Sequence, residues 1–154
     1  ISIAKYFSNR PLTAIAADYS LAALRIAQMN INKFHLSGQI LPVQADLTQA
    51  FAAPLHLVCA NLPYIPSARC ANLEVSLHEP IRALDGGADG FDYYRLMLAD
   101  LSRKMAAESL ILCEIDFTQK NISVSCAQHF FPEAQITIRD DYAGLSRILE
   151  IRNG

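Results

Sequence analysis

Four consecutive residues, Asn61-Leu62-Pro63-Tyr64, hold the groups in this chain best suited to chemistry. The Asn61 amide both donates and accepts hydrogen bonds. Leu62 precedes a proline, which biases its backbone towards extended conformations and so directs its carbonyl. Pro63 has no N–H and stiffens the turn. Tyr64 adds a flat ring with a polar end. One side-chain carbonyl, one aimed backbone carbonyl and one ring suit the binding of a planar NH2 group. The plainer alternative is a loop that closes a strand.

The element that positions this stretch is the apolar run Leu55-His56-Leu57-Val58-Cys59-Ala60. Such a run, ended by turn residues, reads as a buried parallel strand. Open α/β sheets bind ligands just beyond the carboxyl ends of their strands. Two earlier segments repeat the arrangement: Thr13 to Ala17 reads as a strand ending at Asp18, and Ile40 to Ala45 as a strand ending at Asp46. Any one of these polar residues could be a helix cap or a turn residue. Three in succession favour a ligand-lined sheet edge.

Between the first two strands, Ser20 is suited to cap a helix. Leu21, Leu24, Ile31 and Phe34 mark that helix's apolar face, and Gly38 stands where a C-terminal glycine would. Ile1 to Phe7 reads as the middle of a helix without its cap, so a strand and a glycine loop are expected before Ile1. Pro66 to Gly90 reads as a long irregular loop, a feature that is often functional. Asp92 is expected to cap a helix whose apolar face carries Tyr94, Met97, Leu101 and Met105. Leu110 to Ile115 reads as a buried strand and Ile122 to Phe130 as a helix. Ile136 to Arg139 and Ile148 to Arg152 read as a terminal antiparallel pair.

The 154 residues fit one domain, 1–154. At 52% hydrophobic and 18% charged residues, the chain has ample material for a core and is not disordered. A net charge of -2 and a pI near 6.1 provide no broad basic field for nucleic acid. No apolar run is long enough to span a bilayer, so no membrane partner is expected, and no secretory signal is evident. Cys59, Cys70, Cys113 and Cys126 lack metal-ligand spacing. They read as reduced, mostly buried thiols of a cytoplasmic protein. His35, His56, His78 and His129 are scattered, and no metal is expected.

Taken together, Asn61-Leu62-Pro63-Tyr64-Ile65-Pro66, then Glu79-Pro80, then Ala83-Leu84-Asp85-Gly86-Gly87-Ala88-Asp89-Gly90-Phe91-Asp92-Tyr93-Tyr94-Arg95 resembles the HemK family. Leu112-Cys113-Glu114-Ile115 and the segment from Asp141 to Arg147 resemble its later strand and closing segment. The tetrapeptide alone is shared with DNA and RNA methyltransferases; the block from Glu-Pro to Gly-Gly-Ala-Asp-Gly is far more selective. The family comprises protein-(glutamine-N5) methyltransferases that modify the Gly-Gly-Gln glutamine of peptide-chain release factors. The resemblance implies a Rossmann-like class I S-adenosylmethionine-dependent methyltransferase domain, α/β, with a mostly parallel sheet and a C-terminal antiparallel pair, here N-terminally truncated.

By that resemblance, Asp18 accepts hydrogen bonds from the ribose hydroxyls of S-adenosylmethionine. Asp46 meets the adenine amino edge and Leu47 lies against the adenine face, unless Asp46 is simply a helix cap. Asn61 lies between cofactor and substrate. Asn61 Oδ1 and the Leu62 carbonyl each accept one N–H of the substrate amide, Pro63 constrains Leu62, and Tyr64 packs on the amide plane. Glu79 orders the long loop over the substrate. The product is S-adenosylhomocysteine, and the protein partner is a release factor. The alternatives are a nucleic-acid amino-methyltransferase and a non-catalytic methyltransferase-like fragment. Three departures stand out. The family's glycine-rich loop would precede Ile1, so the chain alone is expected to bind cofactor weakly or not at all. Leu62 stands where the family has proline, and Asp116 where it often has glycine.

Overall fold

Strand and helix alternate as the residue patterns require, in a computed structural model that describes residues 1–7, 9, 11–52, 54–70 and 79–154. Two units make up the chain, Ile1–Phe51 and Ala52–Gly154.

The first unit contains α1 (Ser2–Tyr6), β1 (Ala14–Asp18), α2 (Leu21–Lys33) and β2 (Ile40–Gln44). Ile1 stands at the N-cap position of α1 and makes no side-chain cap bond. β1 and β2 run parallel, with Ala14 opposite Ile40 and Asp18 opposite Gln44. Ser20 caps α2, its Oγ accepting from the Ala23 N–H at 3.3 Å. Ile31 packs with Ala4, Leu36 and Ile40; the leucine and isoleucine side chains each contribute roughly 1.5–3 kcal/mol on full burial.

Two expectations for α2 fail. Leu21 and Phe34 are exposed rather than on the buried face, and Phe34 is the C-cap. Gly38 does not end the helix. His35 takes the left-handed position at φ 57. Its N–H bonds to Asn32 O and the Leu36 N–H to Ile31 O, which is the Schellman pattern. Histidine enters that region more readily than most residues.

The second unit contains β3 (Leu55–Ala60), α3 (Ser67–Cys70), α4 (Asp92–Leu101), β4 (Met105–Glu114), α5 (Lys120–Phe130), β5 (Gln135–Asp140) and β6 (Ser146–Asn153). The sheet order is β3-β4-β6-β5; β3 is parallel to β4, and the other two pairings are antiparallel. The expected terminal antiparallel pair is therefore present. Ile111, Cys113, Leu149 and Ile151 are buried at the sheet's centre.

Four readings need correction here. β4 begins at Met105 rather than Leu110, which removes Met105 from the helical face. Asp92 is the first helical residue, not the cap: Phe91 is the N-cap, and the Asp92 carboxylate accepts from Arg95 at 2.8 Å. β3 is not buried, because it lies at the edge of its sheet; Leu57 is 41% exposed, and Cys59 is exposed rather than a buried thiol. The stretch after Pro66 is less irregular than expected, holding α3 and a 3-10 turn, Ile81–Ala83. The part of that loop at 71–78, including His78, lies outside the described residues. No helix of the described residues is long and apolar enough to cross a membrane.

Candidate active site

The ends of β3 and β4 lie side by side, because Ala60 pairs with Cys113. Asn61, the next residue, is exposed and lines an open cleft of about 290 Å³ with Ala60, Leu112, Glu114 and Ile148. The chain then turns inward. The Leu62 N–H donates to Tyr94 Oη at 3.0 Å, and the Tyr94 hydroxyl donates to the Glu114 backbone carbonyl. Tyr94 is fully buried and stacks on Phe91, ring centroids 5.0 Å apart. Its hydroxyl thus satisfies two backbone groups inside the protein, where unpaired ones are costly. Burial pushes the Tyr94 phenol far above its usual range, so it stays a neutral donor and acceptor.

Tyr64 is half-buried, and its hydroxyl donates to Glu114 Oε1 at 3.4 Å. Burial, and after it the negative charge of Glu114, raise the Tyr64 phenol, while the Arg147 guanidinium acts in the opposite sense. The strand-end residue Glu114 therefore holds both tyrosines, one through its backbone and one through its carboxylate.

The glycine block is bonded directly to this loop. The Ile65 N–H donates to Leu84 O at 2.9 Å, the Gly86 N–H to Ile65 O at 2.8 Å, and the Ser67 N–H to Gly87 O at 2.9 Å. Ile65 and Asp85 form a parallel bridge. Asp85 Oδ1 accepts from Ser67 Oγ at 2.6 Å and from the Gly87 N–H at 2.9 Å. These bonds, the serine's first, hold the Asp85 carboxyl below its usual range. A Cβ on Gly86 would lie 2.6 Å from both the Pro63 and the Gly90 carbonyl oxygens. Only glycine admits that approach.

Asp116 caps the 3-10 turn Phe117–Gln119: its Oδ1 accepts from the Thr118 N–H at 2.9 Å, and its own N–H donates to Gln119 Oε1 at 3.1 Å. The other end of the Gln119 amide reaches the Tyr64 carbonyl at 2.8 Å. Sequence reasoning passed over Tyr94 and Gln119 as site-supporting residues. Asp116-x-x-Gln119 has capping-box spacing, which was a readable signal. Tyr94 lies in the family block quoted above, but on a buried helical face an aromatic reads first as core, which hid its part in the site.

Asp18, Asp46 and Leu47 belong to the other unit, at the carboxyl edge of β1 and β2. Asp18 is exposed, and its Oδ1 accepts from the Ser20 N–H at 2.7 Å. Its carbonyl accepts from the Ala45 N–H at 3.2 Å, which brings the two strand ends together. Asp46 is exposed and Leu47 half-buried. Leu47 has φ 51, a left-handed conformation that costs a non-glycine residue roughly 1–2 kcal/mol. Glu79 is exposed and is not among the residues lining the Asn61 cleft.

No protein-family model matches the chain. In sequence it is 36% identical over 140 residues to the release factor glutamine methyltransferase of Gloeobacter violaceus, covering 89% of this chain and 49% of that protein. It is 38% identical over 110 residues to the enzyme of the same description from Rhodospirillum rubrum, covering 70% of this chain and 34% of that protein. The chain spans about half or less of the length of these curated relatives. Among solved structures, the E. cuniculi Mtq2–Trm112 complex, responsible for methylation of the eRF1 translation termination factor, aligns with a TM-score of 0.53 at 12% identity. That alignment covers 99% of this chain and 92% of the solved one. The fold is that of class I S-adenosylmethionine-dependent methyltransferases. The resemblance seen in the motifs holds across most of the chain.

Proposed function

We propose that this chain is the catalytic portion of a protein that methylates the Gly-Gly-Gln glutamine of peptide-chain release factors on its side-chain amide nitrogen. One observation carries the reading: Ile65, the residue after the Asn61–Tyr64 loop, is bonded to Gly86, and the Pro63 and Tyr64 carbonyls lie close against Gly86 and Gly90, in a chain 36% identical over 140 residues to a release factor glutamine methyltransferase. The loop alone suits any planar amino group; the block is what selects among such enzymes.

S-adenosylmethionine fits the donor set at the ends of β1 and β2. Asp18 offers an exposed carboxylate for the ribose hydroxyls. Asp46 offers a polar group and Leu47 an apolar side chain for adenine. The left-handed backbone of Leu47 is strain of the kind that functional sites retain. When bound, the cofactor supplies an activated sulfonium methyl.

A glutamine amide nitrogen is a weak nucleophile, because its lone pair is delocalised into the carbonyl. Asn61 Oδ1 and the Leu62 carbonyl each accept one of its N–H groups. Both bonds strengthen as charge builds on the nitrogen during attack, which stabilises the transition state through preset dipoles. Pro63 keeps the Leu62 carbonyl on target, and Tyr64 packs on the amide plane. Holding nitrogen and methyl in line supplies most of the remaining acceleration; as the nitrogen takes the methyl and the thioether product leaves, one of the two N–H protons passes to water in the open cleft.

The test offers the full-length protein labelled S-adenosylmethionine together with an intact release factor, the same factor with its Gly-Gly-Gln glutamine changed, and duplex and single-stranded nucleic acids. Label should pass to the intact factor alone. Transfer to nucleic acid with the release factor untouched would reject the reading in favour of an amino-methyltransferase of DNA or RNA.

A further inference from the structure

We propose that Gln119 is a positioning residue that latches the Asn61–Tyr64 loop to the Asp89–Gly90 turn, an inference that rests on the functional reading above. Gln119 is 4% exposed, at the end of the 3-10 turn that follows β4. Its Nε2 donates to the Tyr64 carbonyl at 2.8 Å and to the Gly90 carbonyl at 3.0 Å, with a longer contact to Asp89 O at 3.4 Å. Its Oε1 accepts from the Asp116 N–H at 3.1 Å. Carbonyl oxygens on one side and an N–H on the other dictate which way the amide faces. One buried side chain therefore joins the last carbonyl of the tetrapeptide, the glycine turn and the exit from β4.

The turn leaves no room for an alternative. Gly90 has φ 78, and a Cβ there would lie 2.6 Å from Gln119 Nε2 and nearer still to the Tyr64 carbonyl oxygen. The tetrapeptide is thus held at both ends, through the Leu62 N–H by Tyr94 and through the Tyr64 carbonyl by Gln119. Between the two anchors stand the Leu62 carbonyl and the Tyr64 ring, the groups assigned to the substrate amide. Removing the Gln119 donor leaves buried carbonyls unpaired and lets that segment shift. Small misplacements of this kind reduce turnover out of proportion to their size.

Gln119→Met keeps length and loses the donor; Gln119→Glu keeps shape and turns a carboxylate towards the carbonyl oxygens. In the full-length protein, both should lower turnover roughly 10- to 100-fold, with cofactor affinity and the KM for the release factor within about twofold of wild type. Amide hydrogen exchange reads the latch without any reaction. Exchange at Leu62, Ile65 and Gly86 should accelerate in Gln119→Met, while Ile111 and Leu149 in the sheet keep their protection. Equal acceleration at both sets of amides would make Gln119 a general stabiliser and overturn the proposal, as would wild-type turnover in Gln119→Glu. A wild-type protein that methylates no release factor would instead sink the functional reading, whereas selective exchange at those three amides would still establish the latch.

Discussion

Asn61 has two properties at once that a catalytic dipole needs. It is exposed to a cleft, and it follows directly from a hydrogen-bonded strand, so its backbone is fixed while its side chain meets what enters. Asn61→Ala should reduce turnover roughly 100- to 1000-fold, the usual loss on removing one preset dipole, with the thermal midpoint unchanged because the side chain is not in the core. Asn61→Asp keeps an acceptor oxygen and loses the amide donor. Substantial activity in the aspartate form would show that accepting the substrate N–H is what counts; an alanine form as fast as wild type would remove Asn61 from the mechanism. Asp18 invites the parallel experiment. Its exposed carboxylate makes few core contacts, so Asp18→Ala should weaken cofactor binding by about 1.5–3 kcal/mol, the range for hydrogen bonds to a charged group. Calorimetry on the full-length protein checks this. A collapsed melting temperature with unchanged affinity would reassign Asp18 as a turn residue, through its bond to the Ser20 N–H.

At the scale of elements, α4 supports the site by sending one hydroxyl into the gap between the ends of β3 and β4. Tyr94→Phe preserves the stacking on Phe91 but leaves the Leu62 N–H and the Glu114 carbonyl without that hydroxyl. Buried groups left unsatisfied cost about 1–3 kcal/mol, so urea unfolding should show a loss of that size and turnover should fall with it. Full stability in the phenylalanine form would mean that the two groups find other partners. The same contacts explain what the sequence could and could not reveal. Strand ends at Asp18 and Asn61, the Ser20 cap and the terminal pair were legible because each is written in local periodicity or cap chemistry. The start of β4 was not: Met105-Ala106-Ala107-Glu108 has helical composition, and it is the pairing of Met105 with Leu55 of β3 that draws the stretch into the strand. Leu21 and Phe34 match a helical period yet remain exposed, since spacing does not reveal how wide the covered face is. The glycine block was legible as a pattern but not as a structure. Its bonds to Ile65 and its approach to Pro63 join residues about twenty apart, a relation that no local rule carries.

For the whole molecule the informative quantity is where its carboxylates are held. Asp85, Asp89, Asp141 and Glu150 are all kept below the ordinary carboxylate range, and all four lie in the Ala52–Gly154 unit. The leading causes are the Ser67 hydroxyl for Asp85, the Arg95 guanidinium for Asp89 and the Leu145 N–H for Asp141. Glu150 is the most enclosed, 6% exposed, held first by Arg139 on β5 and then by Arg152, whose guanidinium donates to its Oε1 at 3.0 Å. A carboxyl whose folded pKa is depressed stabilises the fold above its unfolded pKa, near 4. That stabilisation is lost as pH falls through the lower folded value. The thermal midpoint should therefore hold above about pH 5 and drop progressively below pH 4 as these groups take up protons. Glu150→Gln isolates one contribution. The variant should be less stable than wild type at pH 6, because it loses both charged bonds, and the gap should narrow on acidification as the wild-type carboxyl protonates. Arg139 and Arg152 are each about half exposed, at 57% and 51%, so water solvates them once the glutamate charge is gone. Wild-type and variant midpoints that fall in parallel from pH 6 to pH 3 would show that Glu150 has no part in the acid response and leave it to the three aspartates.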